Sequence, residues 1–226
     1  MRRFLRNNGL AIVLLAIFVA IFIGQSTVGW RVYNQDQREH GEAEVSYIAY
    51  LQTPSFMEVT FENWESEFLQ MAAYVLLTAW LFQKGSAESR DPDAAEGDDG
   101  GAPETGDDPD RHPPDERPWP VRRGGAWLTL YENSLAIAFA LLFAMAFILH
   151  AIGGAGQYSQ DQEAHGGQAV STLQYLTTAQ FWYESLQNWQ SEFLAVFAIV
   201  VLTIFLRQKG SPESKPVDAP HHTTGG

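Results

Sequence analysis

The chain alternates between long apolar runs and short polar stretches. Leu10–Ile23 reads LAIVLLAIFVAIFI and Leu135–Ile152 reads LAIAFALLFAMAFILHAI. Residues 7–30 and 133–160 contain no Asp, Glu, Lys or Arg. A helix needs about 20 residues to cross a hydrocarbon core of about 30 Å, and both stretches supply them. Two shorter runs, Phe68–Phe82 and Phe193–Leu206, are followed by Lys84 and Arg207. Each stands opposite a long run in its own half of the chain, which predicts a second pair of spans. The expected spans cover about 8–28, 64–83, 133–153 and 189–208. The basic start, Met1–Arg6, also has the form of a signal-peptide leader. An equivalent apolar run inside the chain argues for a retained span.

A shift of 125 residues lays the second half on the first without a gap. Tyr33, Gln35, Asp36, Gln37, His40 and Gly41 fall on Tyr158, Gln160, Asp161, Gln162, His165 and Gly166. Asn63-Trp64, Ser66-Glu67-Phe68-Leu69 fall on Asn188-Trp189, Ser191-Glu192-Phe193-Leu194, and Gln83–Ser86 on Gln208–Ser211. This pattern predicts an all-α polytopic membrane protein with four transmembrane helices, built as a tandem repeat of two-helix units. An even number of spans per unit gives both units one orientation. The expected boundaries are a first unit at 1–84, a linker at 85–126, a second unit at 127–210 and a tail at 211–226.

Between the spans of each unit, Val45, Ile48 and Leu51 recur every three residues, as do Val170, Leu173 and Leu176. That spacing predicts amphipathic outer helices over 37–52 and 162–177, lying at the membrane surface. Thr53-Pro54 has the form of an N-cap followed by proline at the first helical position. One helix should run from there into the second span, with Trp64 and Trp189 at the headgroup level.

Charge sharpens the topology. With the N-terminus cytoplasmic, twelve of the 14 Lys and Arg residues lie on the inner side, and only Arg31 and Arg38 lie outside. Both termini and the linker should therefore be cytoplasmic, in the cell membrane. The linker holds twelve acids against five arginines and almost no large aliphatic residues, the composition of a disordered tether. The tail reads likewise. A net charge of −13 with no broad basic patch makes nucleic acid an unfit partner, and the absence of cysteine excludes disulfides and thiol chemistry.

The polar residues at the membrane edge carry the candidate chemistry. Glu67 and Glu192 precede the inner basic residues by less helix than the core requires, which places them at or just inside its outer edge. A carboxylate there is costly, and usually turned inward and paired. Asn63 with Ser66, and Asn188 with Ser191, accompany them. These six residues are either a polar or ion site, or braces for the end of the bundle. Secondary candidates are Asp36/His40 and Asp161/His165, whose four-residue spacing suits hydrogen bonding or a metal. The other readings of the His-Gly pairs are a helix start or packing. His150 lies at the depth of Glu192. No cofactor is expected, and no catalytic constellation is present.

The duplicated Asn-Trp-x-Ser-Glu-Phe-Leu block, with His-Gly upstream, resembles a family of small bacterial four-span membrane proteins of unknown function. The resemblance covers both halves and excludes the linker and tail. It implies a bacterial cytoplasmic-membrane location and brings no activity and no site residues. Two non-enzymatic functions fit the sequence. One is a channel or transporter for a cation or small solute, using Glu67 and Glu192. The other is a scaffold or envelope-interaction protein using its outer helices, with the acidic linker as a tether. The lipid bilayer is the expected partner; a homo-oligomer, or a protein bound at the outer helices or linker, is compatible with either.

Overall fold

A computed structural model of the chain describes residues 2–89 and 117–225. Most of the expected tether, 90–116, lies outside the described residues. Helices and turns make up what is described, with no strand among those residues. The chain divides into two compact units, one of Met1–Phe61 with Ile148–Phe181 and the other of Glu62–Phe147 with Trp182–Gly226.

A short helix, α1 (Arg2–Asn7), precedes α2 (Gly9–Glu39) in the first unit. Both α2 and α7 (Ser134–Ala164), which ends in this unit, are 31 residues long. They continue about three turns past the expected span ends. The expected outer amphipathic helices are absent, and the reason is local. Gly41 and Gly166 take up left-handed backbone, with φ of 77° and 80°. The Gly41 N–H then donates to Arg38 O at 3.2 Å and the Glu42 N–H to Gln37 O at 2.7 Å. Gly166 and Gly167 repeat this on Glu163 O and Gln162 O, at 3.0 and 2.7 Å. These are Schellman closures, which satisfy the last carbonyls of each helix.

The chain then turns back along the helix it has left. Asn34 holds Val45 through both backbone groups, at 2.9 and 3.0 Å, and Trp30 Nε1 donates to Val45 O at 2.8 Å. Ser159 holds Val170 in the same way, at 3.0 and 3.2 Å. Backbone committed to these side chains is unavailable for a helix ladder, so the three-residue apolar spacing spreads over a loop and one turn. Ser46 and Ser171 cap those turns, α3 (Tyr47–Tyr50) and α8 (Thr172–Tyr175).

Tyr50 and Tyr175 are buried. Each hydroxyl lies against a helix backbone that has no side chain. A Cβ at Gly29 would fall 2.3 Å from the Tyr50 hydroxyl, and one at Gly154 would fall 2.6 Å from that of Tyr175. The rings pack on Tyr33 and Tyr158, both at 5.6 Å, and on Phe56 and Phe181 at 5.4 and 5.5 Å. Four residues later the next helices begin. Thr53 Oγ1 accepts from the Phe56 N–H at 3.2 Å, as the Thr-Pro pattern predicts, and Thr178 Oγ1, followed by Ala179, likewise accepts from the Phe181 N–H at 3.3 Å. They start α4 (Pro54–Trp80) and α9 (Ala179–Phe205), 27 residues each.

The second unit holds most of α4 and α9 with the first half of α7. Both α4 and α9 end in the same closed turn. Gly85 and Gly210 have φ of 85° and 83°, and Ser89 and Ser214 accept from the Gln83 and Gln208 N–H groups at 3.1 and 2.9 Å. Residues 211–225 are a run of turns with few apolar side chains. Lys215 is buried among them, its Nζ donating to Gly85 O, Thr223 O and His221 O at 2.6, 2.9 and 3.0 Å. The carbonyls replace the hydration that burial strips from its ammonium, a cost that draws its pKa below the ordinary value.

Among the described residues three helices, α2, α7 and α9, are long and apolar enough to cross a membrane. This corrects the expected four. The remaining helix, α4, has the length but not the hydropathy, because Glu58, Glu62, Asn63, Glu65, Glu67 and Gln70 occupy its first two-thirds. The three apolar helices turn large side chains outward: Leu10 is 75% exposed, Leu141 66% and Phe197 63%. The buried apolar positions of α7 are small, Ala146, Ala151 and Ala155. Apolar surface of this kind is the arrangement expected where the solvent is lipid.

Gly154→Ala should strain the Tyr175 contact and lower stability by about 1–3 kcal/mol, as overpacking does. Gly24→Ala, where a Cβ meets nothing within 4 Å, is the control. Thermal unfolding of the two variants in detergent tests this, and equal midpoints would refute the contact.

Candidate membrane-edge carboxylate site

Glu58, Glu62 and Glu65 are spaced four and three residues apart, so they lie on one face of α4. Each accepts a hydrogen bond from the second half of the chain. Tyr175 Oη donates to Glu58 Oε1 at a long 3.5 Å. Asn188 Nδ2 donates to Glu62 Oε1, and Trp189 Nε1 to Glu65 Oε1 at 3.0 Å. Glu65 is wholly buried. The Trp189 ring packs edge-on against Phe143 at 6.3 Å, which fixes the direction of its N–H. One turn further along, Gln70 Nε2 donates to Glu192 O at 3.1 Å. Glu62 and Glu65 thus face donors on α9, while Glu58 faces the Tyr175 hydroxyl of α8.

The six primary candidates are divided by this geometry. Asn188 binds Glu62, and Ser66 is buried with its hydroxyl on Asn63 O at 2.8 Å. Glu67, Asn63 and Ser191 are exposed, and Glu192 is half-buried. Glu67 lies near enough to Glu192 to feel its charge. Glu65, which sequence reasoning passed over, is the buried acid. Two residues separate it from Glu67, a rotation of about 200° around the helix. Its counterpart 125 residues on is Gln190, so a search for repeated residues misses it. The four-and-three spacing of Glu58, Glu62 and Glu65 was the available signal.

The secondary candidates close helix ends. His40 Nδ1 lies 3.0 Å from Asp36 O and 3.4 Å from Asp36 Oδ1, and His165 Nδ1 lies 2.8 Å from Asp161 O. The Asp36 carbonyl, then the Asp36 charge, hold the His40 imidazole above its ordinary pKa. His-Gly is thus a helix stop, where a helix start or a packing pair was expected. His150 is buried, stacked on the Phe181 ring at 5.0 Å. Among the described residues, no group of three or more His, Asp and Glu side chains is placed to hold a metal ion.

A second acidic contact lies beyond the end of α4. Tyr74 Oη donates to Glu88 Oε2, and the charge of Glu213, the counterpart of Glu88 125 residues on, acts on the same carboxyl. Burial is the main cause that lifts the Glu88 pKa; the Tyr74 hydrogen bond opposes it and Glu213 adds to it.

These features define the class: an all-helical protein with three helices fit to cross a membrane and an acidic face on a fourth helix. The chain belongs to the family described as domain of unknown function DUF6766, whose model matches residues 1–226. No curated protein and no solved structure matches it.

Because Glu88 binds its proton more tightly when folded, its contribution to stability is complete below about pH 4 and is lost as pH rises through its raised pKa. The thermal midpoint should fall over that window in the wild-type protein, and Glu88→Gln should flatten the slope. An unchanged slope in Glu88→Gln would show that Glu88 keeps an ordinary pKa.

Proposed function

We propose that the protein is a cell-membrane channel or transporter for protons or a small cation, with Glu62 and Glu65 of α4 as the binding carboxylates. The wholly buried Glu65, held by Trp189 Nε1, carries the reading. An acid set among apolar helices is expensive and is usually kept for ion or proton handling. An amide and an indole, those of Asn188 and Trp189, orient the two carboxylates. The inner ends are the basic ones, with Arg2, Arg3, Arg6, Lys84, Arg207 and Lys209, so these ends face the cytoplasm by the positive-inside rule.

The test is proton or potassium flux into liposomes containing the full chain, followed with an internal dye. Glu65→Gln keeps the shape of the side chain and removes the charge, and should slow flux on the order of tenfold or more. Glu67→Gln, on the exposed side, should leave the rate near wild type. Equal rates for Glu65→Gln and wild type, with helix content retained, would overturn the reading.

A further inference from the structure

Ahead of the α7 span lie α5 (Trp119–Arg123) and α6 (Gly125–Glu132). Gly124 and Gly125 join them with φ of 64° and 58°, backbone that glycine populates readily. The turn brings the Arg123 guanidinium to 5.4 Å from the Trp119 ring and 5.8 Å from that of Trp127, the two indoles themselves being 5.2 Å apart. Cation–π contact holds the arginine in place without neutralising it. Among the described residues no carboxylate forms an ion pair with Arg122 or Arg123. Beside them Ala126, Thr129, Leu130, Asn133 and Ile137 line an open groove of about 540 Å³ that runs from α6 onto α7. Trp119 and Trp127 stay about half exposed.

We propose that this corner binds one anionic phospholipid, its phosphate on Arg122 and Arg123 and an acyl chain along the groove. Guanidinium groups match a phosphate in charge and geometry, and the groove walls match a hydrocarbon chain. Exposed indoles at the mouth of an apolar helix sit where headgroups lie. The inference rests on the membrane location above and not on ion handling at Glu65, so the two fail separately.

The test is native mass spectrometry of the full chain released from nanodiscs of equal phosphatidylglycerol and phosphatidylcholine. Wild type should retain one phosphatidylglycerol with at least roughly tenfold preference, the scale of two basic residues at a membrane surface. Arg122→Gln with Arg123→Gln should bring the ratio near one. Ala126→Trp, which fills the groove and spares both arginines, should also lose the retained lipid, with helix content unchanged by circular dichroism. Equal retention of the two lipids by wild type overturns the site. So does a preference in either variant equal to that of wild type.

Discussion

A tyrosine ring seated against a side-chain-free stretch of helix is the contact on which the rest of this structure turns. The two 31-residue helices must hand the chain to the helices that follow them, and the return path is a loop with almost no apolar core of its own. Tyr50 at Gly29 and Tyr175 at Gly154 pin that path at one point. Each ring is then boxed by a second tyrosine and a phenylalanine. With the loop pinned, Thr53 and Thr178 stand where they can cap, and α4 and α9 begin at fixed residues. Both are unbroken helices, so their starting points carry through to every residue further along.

The two halves are alike where the chain turns and different where helices meet. The Schellman closures, the serine-capped turns, the glycine–tyrosine contacts and the final turns recur with an offset of 125 residues. The row of side chains along α4 does not. Glu58, Glu62 and Glu65 correspond to Tyr183, Gln187 and Gln190, which carry no charge. The first half supplies acceptors and the second supplies donors, Tyr175, Asn188 and Trp189. A symmetric pair of carboxylate rows would set like charges near one another in a medium that screens poorly, whereas acceptor against donor satisfies both. The asymmetry also bears on the polarity of α4: Glu62 and Glu65 lie on the face that α9 can satisfy, and with its other acids they cost the helix the hydropathy of its partner.

Legibility followed the range of the interaction. The apolar runs of α2, α7 and α9, the Thr-Pro helix start and the offset between the halves all stand in the sequence, because composition and neighbours within four residues decide them. The stretch at 37–52 shows where that range ends. Its apolar spacing suits a helix, but Asn34 and Trp30, eleven and fifteen residues away from Val45, claim the backbone that a helix would need.

Sequence alone determined that this is an all-helical chain with lipid-grade helices and that its halves share one plan. Only the tertiary structure decided which acid is buried. Glu65 and Glu67 are equally acidic and two residues apart, and both precede the same apolar run. Their difference is a rotation around the α4 axis, which acquires meaning only when Trp189 and Asn188 occupy one side of it. A linear pattern gives the helix and its period; which side becomes the inside depends on the neighbour that covers it.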